Sequence, residues 1–522
     1  MQRRRNSVES LKASKWWNPL RIREDLPELI AKGPDALVQA EKDLLKWVGV
    51  FFRNPTPGKF MMRIRMPNGF ATSEQFRTIA ELSRRIGNGV LDITTRQQIE
   101  LRGFTLDTVP EIWQKLRGVN LHSIQTGMDN VRNINGCALA GLTPGELFDA
   151  SAVLFELDRI IAGKNGNPEF VNLPRKFNIT ITGCTQNCTH TESQDVALTP
   201  AMRAGKAGFN ILVGGKMGSG GFTIAAPLDV FVEPHEAAET VAEIVRIFRD
   251  HGPREARAKC RLAHLIADWG IPELRYVLCE RLMRPLDAAG EDMRQRGTHQ
   301  DHAGIQPQKQ QGMRSVGLCV VNGRLNPDQM TELARLADAY GNGAIRLTTG
   351  QNAIVPDVPV HHMPALLREP LLKELSPAPS PFFRRMVACT GTDFCNLAQL
   401  DTKGYAVQIS RALEDRLGTA HEPLSIHWSG CPAGCGNHQA ADIGFRGMRA
   451  NINGQIVDAV AIYTGGKTGP DAVAGQEVAE VVKCDEKLPE VVANMIRERT
   501  RKAAEVRTEN REESFHGLRQ SV

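Results

Sequence analysis

Four cysteines form two short clusters in the C-terminal half of the sequence. Five residues separate Cys389 from Cys395, and three separate Cys431 from Cys435. Paired thiolates from two loops are typical metal ligands, and the Gly, Thr and Asn residues around them leave backbone N–H groups free to hydrogen-bond to sulfur. Zinc knuckles usually place two to four residues between paired cysteines, which fits the first pair poorly. The spacing therefore favours an iron–sulfur cluster over zinc.

Basic residues recur in short motifs of the first half. They are Arg96 in TTRQ, Arg132 in DNVRN and Lys176 in LPRKFN. Alternation along residues 93–99 predicts a strand on which Arg96 points away from the apolar side chains and into an interface. A guanidinium in that position can donate two parallel hydrogen bonds to an oxyanion. Each of these residues alone would more often be a solvated surface charge, so the argument depends on their grouping.

A glycine-rich loop follows a β-rich run in the same half. It contains Gly214, Gly215 and Lys216. Such a loop can present backbone N–H groups to a polyanion, and the carboxylates of a large acidic cofactor would suit it. The related loop at Lys467 does not complete a phosphate-loop pattern, because position 461 is Ala.

The elements that must position these residues occur twice. The segment from Pro67 aligns without a gap with the segment from Val321, and each reads as an Asn-Gly turn, an amphipathic helix, a Gly-Asn-Gly stop and a β-rich strand. The blocks beginning at Asn178 and Gly214 likewise match those at Ser425 and Gly465. We therefore predict an internally duplicated α+β fold, with a ligand site at the interface of the halves.

The duplication also suggests an interpretation for the remaining cysteines. Cys184 and Cys188 align with Cys431 and Cys435, but the first half offers only Cys137 as a companion, with no counterparts of Cys389 and Cys395. We expect no second four-thiolate site and interpret the pair as a remnant of duplication. Isolated cysteines are expected in cores; they are Cys260, Cys279, Cys319 and Cys484.

Composition restricts the class of protein. The 522 residues carry a net charge of +5, which is weak for a nucleic-acid binder, and no apolar run is long enough to span a membrane. Acidic residues from Glu9 onward argue against a transit peptide, so we expect a cytoplasmic protein of bacterial type, with the plastid stroma as the alternative. No G-x-G-x-x-G unit is present, so we expect electrons to come from another protein.

The pairing of C-x5-C with C-x3-C, together with TTRQ, LPRKFN and the duplicated half, resembles the nitrite and sulfite reductase haemoprotein family. The resemblance implies three domains around a pseudo-twofold axis, with ferredoxin-like half-domains. It also implies one 4Fe-4S cluster on Cys389, Cys395, Cys431 and Cys435, and sirohaem bridged to the cluster by Cys435. Gly214, Gly215 and Lys216 are expected to contact the cofactor.

The resemblance suggests boundaries along the whole chain. The expected segments are an N-terminal extension (1–48), a first ferredoxin-like half-domain (49–125), the first half of the sirohaem domain (126–287), a polar linker (288–312), a second ferredoxin-like half-domain (313–365), an iron–sulfur and sirohaem domain (366–487), and a charged C-terminal tail (488–522).

The resemblance also implies the substrate. Arg96, Arg132 and Lys176 correspond to substrate-facing cations of the family, and Asn178 stands where sulfite reductases typically have a second lysine and nitrite reductases an asparagine. This implies six-electron reduction of nitrite to ammonia by a monomer, with ferredoxin as donor and flavodoxin as a substitute. The alternatives are a ferredoxin-dependent sulfite reductase, a non-catalytic iron–sulfur electron-transfer protein, and a zinc-stapled nucleic-acid module. We expect neither nucleic acid nor a membrane as partner.

Overall fold

The computed structural model describes residues 6–13, 18–218 and 221–502. Within these ranges the chain forms helices and four five-stranded sheets. The strands are β1 Val50–Phe52, β2 Phe60–Ile64, β3 Phe70–Thr72, β4 Leu91–Ile93, β5 Ile99–Phe104, β6 Ile179–Ile181, β7 Val196–Arg203, β8 Lys206–Val213, β9 Ala226–Val232, β10 Glu291–Asp292, β11 Gly304–Pro307, β12 Met313–Leu318, β13 Arg324–Leu325, β14 Ala344–Leu347, β15 Ala353–Pro359, β16 Arg385–Ala388, β17 Ser425–Ser429, β18 Ile443–Ile452, β19 Gln455–Thr464 and β20 Gln476–Lys483.

The helices cover the faces of these sheets. They are α1 Ser7–Ala13, α2 Leu26–Lys32, α3 Gln39–Leu45, α4 Ser73–Arg85, α5 Val109–Gly118, α6 Ser151–Ile161, α7 Pro234–His251, α8 Leu262–Leu282, α9 Pro327–Tyr340, α10 Met363–Leu366, α11 Leu371–Glu374, α12 Pro381–Arg384 and α13 Thr402–Leu417, followed by a helix that begins at residue 488. None of the helices in the described ranges is both long and apolar enough to cross a lipid bilayer.

The repeated helix α4 and its counterpart α9 begin in the same way. The Thr72 hydroxyl accepts from Gln75 N at 3.2 Å while the Gln75 side chain accepts from Thr72 N at 3.0 Å, and Asn326 and Gln329 make the same reciprocal pair at 2.8 and 3.0 Å. These capping boxes satisfy N–H groups that the first helical turn leaves without partners. The sequence repeat is therefore also a structural repeat.

The two ferredoxin-like half-domains exchange one strand each. Their sheets have the orders β1-β2-β5-β4-β13 and β11-β12-β15-β14-β3. Strand β13 of the second half pairs with β4 of the first, and β3 of the first pairs with β14 of the second. One hydrophobic core runs through both half-domains. Their mutual position is thus fixed by backbone hydrogen bonds as well as by packing, which the sequence did not predict.

Two further cores belong to the other sheets. The sheet β10-β7-β8-β9, extended by β6, packs against α6, α7 and α8, and the sheet β16-β17-β18-β19-β20 packs against α13 and the helix that begins at residue 488. Leu488 and Ile496 are buried in this last core. The first part of the predicted C-terminal tail is therefore packed into the domain, whereas residues 503–522 lie outside the described residues.

The segment 288–312, predicted as a linker, has structure of its own. It contributes β10 to one sheet and β11 to another. Between these strands its backbone hydrogen-bonds to the first-half cysteine loop, with Gln295 N donating to Thr185 O at 2.8 Å. The segment thus connects the halves and also forms part of a wall between them. The exact residues at which one domain ends and the next begins stay a prediction.

Candidate functional site

The cysteine quartet lies at one edge of the last sheet. Strands β16 and β17 are parallel neighbours, so their carboxyl ends meet. Cys389 follows β16 directly, and its N–H donates to Trp428 O of β17 at 3.0 Å. Cys431 and Cys435 lie on the loop after β17. Cys435 is exposed and the other three thiols are half-buried. The predicted ligands from two distant loops are therefore brought together.

The sulfur atoms of this quartet are not gathered around a single point. Among the described residues, no three of the four lie within 4.8 Å of one another. Backbone N–H groups point at two of them, from Gly430 to Cys389 Sγ at 3.2 Å and from Leu397 to Cys395 Sγ at 3.5 Å. A single zinc ion would hold its sulfurs about 3.8 Å apart, given Zn–S bonds of about 2.3 Å. The wider spacing and the N–H donors fit a cluster of several irons.

Arg96 lies on a tight turn, not on a strand as predicted. Strand β4 ends at Ile93 and β5 begins at Ile99, and Thr94 N donates to Gln98 O across the turn at 2.9 Å. Gln97 has the left-handed φ of 56°. The alternation expected along residues 93–99 is therefore wrong, because the chain reverses there. The turn nevertheless sends Arg96 to the predicted interface.

The turn meets both the second-half cysteine loop and the LPRKFN segment. Thr95 Oγ1 donates to Cys435 O at 3.5 Å, and Arg96 Nε donates to Asn178 Oδ1 at 3.2 Å. Arg96, Lys176 and Asn178 line one pocket together with Cys435. The side-chain oxygen of Asn178 accepts this hydrogen bond from Arg96. The amide N–H groups of Asn178 remain available as donors to a ligand. Arg132 is close enough to Arg96 and Lys176 for their positive charges to repel one another.

The three predicted cations have no acidic partner. The described residues provide neither an ion pair nor a hydrogen bond to the Lys176 ammonium group, and they provide no ion pair to Arg96 or Arg132. The Arg132 guanidinium donates to the carbonyls of Thr126 and Met128, at 2.7 and 3.0 Å. Burial, and then repulsion by neighbouring cations, lowers the pKa of Arg96 to about 10 and lowers the pKa of Lys176 well below its usual range. Such a cluster is stabilised by anions.

Asp195, a carboxylate close enough to act on the charge of Arg96, is already neutralised. Asp195 accepts two hydrogen bonds from Arg261, at 2.9 and 2.6 Å, and both side chains are buried. Its Oδ2 also accepts from Asn178 N at 2.8 Å. Asp195 therefore fixes the backbone at Asn178 and leaves the positive charge of the pocket in place.

The predicted glycine loop touches the second-half cysteine loop. Gly214 and Gly218 have left-handed φ values of 80° and 68°. A Cβ on Gly218 would lie 1.7 Å from Ala433 O, so this approach requires glycine. Lys216 is buried next to Arg261. The structure thus places the loop beside the pocket.

Sequence reasoning missed a buried ionic network behind the cysteines. Arg102 pairs with Asp92 at 2.7 Å and donates to Thr390 Oγ1 at 3.1 Å, next to Cys389. Asp92 also pairs with Arg324 and Lys403, at 3.1 and 3.4 Å. These partners come from four separate segments, so no short spacing in the sequence indicated that they would meet. The network joins the half-domains to the iron–sulfur loop.

A second cavity stands at the position related to this pocket by the repeat. Its volume is about 710 Å³. It is lined by the counterparts of the pocket residues and by the segment 288–312; its lining includes Cys188, His190, His299, His302, Gly350, Arg384, Ser425, His427 and Lys467. This cavity of about 710 Å³ is therefore separate from the pocket at Cys435.

The backbone register corrects one expectation about the cysteines. Asn135 pairs with Thr180 in the first half as Val387 pairs with His427 in the second, and Thr180 and His427 are equivalent in the repeat. Counting two residues on from Asn135 and Val387 makes Cys137 the counterpart of Cys389. The expectation that Cys389 has no cysteine partner in the first half is therefore wrong. The two residues escaped sequence alignment because the surrounding segments differ.

Comparison with known proteins agrees with these features. The family model described as "Nitrite and sulphite reductase 4Fe-4S domain" matches residues 127–286 and 380–503, and the model described as "Nitrite/Sulfite reductase ferredoxin-like half domain" matches residues 53–119 and 306–373. Each model matches twice, once in each half. The predicted duplication and the ferredoxin-like half-domains are thereby confirmed.

Individual relatives cover nearly the whole chain. A protein from Synechococcus elongatus named ferredoxin–nitrite reductase is 43% identical over 95% of this chain and 96% of its own length. An assimilatory ferredoxin-dependent nitrite reductase from Haloferax mediterranei is 39% identical over 91% of this chain and 86% of its own length. The solved structure of Mycobacterium tuberculosis NirA superposes with a TM-score of 0.87 at 30% identity, over 95% of this chain and 93% of that one. The chain belongs to the nitrite and sulphite reductase family.

Proposed function

We propose that this protein reduces nitrite to ammonia with six electrons from ferredoxin. The observation that carries the proposal is the group of three cations without acidic partners, Arg96, Arg132 and Lys176, beside Cys435. A small anion would find hydrogen-bond donors on several sides there. The names of the relatives from Synechococcus and Haloferax support both nitrite and ferredoxin. A monomeric state, flavodoxin as substitute donor and a cytoplasmic location stay predictions.

The residues present fit the family's two cofactors. Cys389, Cys395, Cys431 and Cys435 would hold the four-iron cluster, because their sulfurs are separated and two receive N–H groups. Sirohaem is rich in carboxylates, and the cationic pocket has positive charge that the protein leaves uncompensated. The Nε atoms of Arg132 and Arg175 are buried and have no hydrogen-bond partner. Gly214, Gly215 and Lys216 would contact the tetrapyrrole from the glycine loop.

When bound, the coupled sirohaem and cluster supply the open iron position and the single-electron steps that nitrite reduction requires. The protein's own residues bind and orient the anion. Arg96 is fixed by its hydrogen bond to Asn178 and by the turn at residues 94–98. Arg132 is fixed by two carbonyl groups. Preorganised donors of this kind stabilise negative charge without the cost of reorientation.

The same residues can move protons to the substrate. The Lys176 ammonium group has no partner that would hold its proton, and burial lowers its pKa well below its usual range. A lysine in that state gives up its proton more readily than one in water, which is what a general acid requires near neutral pH. Asn178 would add a neutral donor. We therefore assign proton delivery to Lys176 and orientation to the two arginines and Asn178.

The charge of the pocket favours nitrite over sulfite. Nitrite carries one negative charge, whereas sulfite carries up to two, and position 178 holds a neutral amide. An ammonium group at that position would lie beside Arg96. The pKa of Arg96 is already lowered to about 10 by burial and by neighbouring cations. The amide avoids this repulsion. The pocket is thus matched to the anion with less charge.

The proposal is tested with the purified holoenzyme under anaerobic conditions. Reduced ferredoxin is supplied with nitrite and then, separately, with sulfite, and ammonia and sulfide are measured. We expect ammonia in the ratio of one per six ferredoxins oxidised and a kcat/KM for nitrite at least tenfold above that for sulfite. Protein that contains iron, labile sulfide and a tetrapyrrole spectrum but forms no ammonia would overturn the proposal, and faster sulfide formation would favour sulfite reduction.

A further inference from the structure

Three cysteines and a histidine meet inside the first half, away from the cysteine quartet. The ligand atoms of Cys137, Cys188 and His302 all lie within 4.8 Å of one another, and Cys137 Sγ is 3.3 Å from His302 Nε2. Cys184 lies in the same buried cluster, and its thiol is within hydrogen-bond contact of Cys137 and Cys188. All four residues are buried. Two sulfurs and one imidazole nitrogen thus surround one point, with the thiol of Cys184 next to it.

The repeat explains how three of these residues came together. Cys137, Cys184 and Cys188 occupy the positions of Cys389, Cys431 and Cys435 in the second half. Residues related by the duplication therefore converge on one spot in each half. The first half has no counterpart of Cys395, and the segment 288–312 instead brings in His302. Sequence reasoning considered only four thiolates and so did not consider this imidazole.

We infer that Cys137, Cys184, Cys188 and His302 form a second metal site, which holds a single tetrahedral zinc ion. Three thiolates and one imidazole are an established ligand set for structural zinc, and the three residues between Cys184 and Cys188 match the usual knuckle spacing. The site is separate from the four-iron cluster.

The distances between ligand atoms decide between one ion and a cluster. Around one zinc ion, ligand atoms lie within about 4 Å of one another, since the metal–ligand bonds are about 2.0–2.3 Å long. The ligand atoms of Cys137, Cys188 and His302 lie within 4.8 Å of one another, and one pair of them is 3.3 Å apart, whereas no three sulfurs of the cysteine quartet lie within 4.8 Å of one another. The first-half ligands thus lie closer to the spacing of a single ion than the cysteine quartet does.

The surroundings hold the ligands in place. His302 has a left-handed φ of 56°, which is uncommon for a residue with a side chain, and its N–H donates to Gln300 Oε1 at 3.2 Å. Gln186 N donates to Cys184 Sγ at 3.5 Å, as backbone N–H groups do at metal thiolates. The apolar shell is formed by Ala138, Leu139, Ala140, Leu142 and Ile354.

An entry path exists on one side. Cys188 and His302 line the cavity of about 710 Å³ that contains His190, His299 and His427. A metal ion can therefore reach the thiols from the cavity, although the site is closed on its apolar side. A buried site that opens to a cavity on one side can take up an ion and then retain it.

The experiment measures metals in the holoenzyme, purified without chelators. Inductively coupled plasma mass spectrometry should find about one zinc per chain in addition to iron, and X-ray absorption at the zinc edge should show three sulfur ligands and one nitrogen ligand. Cys137→Ser and His302→Ala should each lower the zinc content at least tenfold without changing the iron content. His302→Cys should restore zinc with four sulfur ligands, which a merely structural defect would not do.

Cys279→Ser is the matched control, because Cys279 is an isolated half-buried cysteine on α8. It should keep the zinc of the parent protein. Zinc below a tenth of an ion per chain after incubation with zinc salt and removal of the excess would overturn the inference. So would an unchanged zinc content in Cys137→Ser, a disulfide among the three thiols, or a loss of iron from that variant, which would indicate a second iron centre.

Discussion

The pocket beside Cys435 and the cavity beside Cys188 descend from the same repeat, yet they differ in charge. Arg96 is matched by Gly350, and Lys176 by Pro423. The sheet register places Arg132 opposite the pair Arg384 and Arg385, both of which pair with Asp301 at 2.8 Å, whereas the Arg132 guanidinium has carbonyl partners. The pocket beside Cys435 thus keeps the positive charge of its arginine available to a ligand, whereas Asp301 neutralises the corresponding charge beside the cavity. Duplication preserved the backbone, and a few side chains decided which copy holds an anion.

The two copies also differ in how they respond to pH. The pocket is lined by arginines and a lysine, while the cavity brings together His190, His299 and His427, with ring centroids 5.9 and 6.2 Å from His190. Imidazoles are the side chains that titrate near neutral pH. We therefore expect anion binding to depend on the pocket and acid sensitivity of the fold to depend on the cavity.

The largest effect should come from removing the charge that the second copy lacks. Arg96→Gln replaces a half-buried guanidinium that has no ion-pair partner among the described residues by a neutral amide. We expect kcat/KM for nitrite to fall about 10²- to 10³-fold, since one preorganised donor is lost from the pocket. The visible spectrum and the iron content should not change. Steady-state assays with reduced ferredoxin measure the effect.

Arg275→Gln is the control for this substitution. Arg275 lies at the surface and pairs with Asp229 at 2.6 Å, remote from the pocket. It should keep kcat/KM within about twofold of the parent protein, because exposed ion pairs contribute little. Nitrite turnover in Arg96→Gln at the parent level would remove Arg96 from the mechanism and leave the difference from Gly350 without consequence.

A smaller effect should appear in the pH dependence of stability. Burial, and then the charge of His190, lowers the pKa of His427 to about 3. The unfolded chain takes up this proton near pH 6.5 and the folded chain does not, so the free energy of unfolding falls as the pH drops below 6.5. From pH 6.5 to pH 5 the loss is about 2 kcal/mol for this one group.

His427→Gln tests this directly. Its N–H can still donate to Asn437 O, as His427 Nδ1 does at 3.1 Å, but it does not titrate. Thermal unfolding followed between pH 7.5 and pH 5 should show a shallower decline in Tm than in the parent protein. His235→Gln, at an exposed position, should keep the parent slope. An identical slope in both variants would mean that the cavity histidines do not control acid sensitivity.

The sequence predicted the fold and the cysteine quartet because both depend on local signals. Repeated blocks, capping residues and cysteine spacing are visible in one dimension. It did not predict the exchange of β3 and β13, the turn at Arg96, or the meeting of Cys137 with His302. These depend on which strand pairs with which and on the path of segment 288–312, and such contacts join residues far apart in the chain. The polar composition of that segment predicted a linker, although its residues line a cavity.

The finest difference between the copies is at position 178, where the pocket has Asn and the cavity has Ser425. Asn178→Lys would add a fourth cation to the pocket, favouring a dianion over a monoanion by about 1 kcal/mol or more. We expect the ratio of kcat/KM for nitrite to that for sulfite to fall on the order of tenfold. Ser425→Lys makes the equivalent change in the cavity and should leave the ratio unaltered. If both variants change the ratio equally, the effect belongs to the overall charge of the molecule rather than to the pocket beside Cys435.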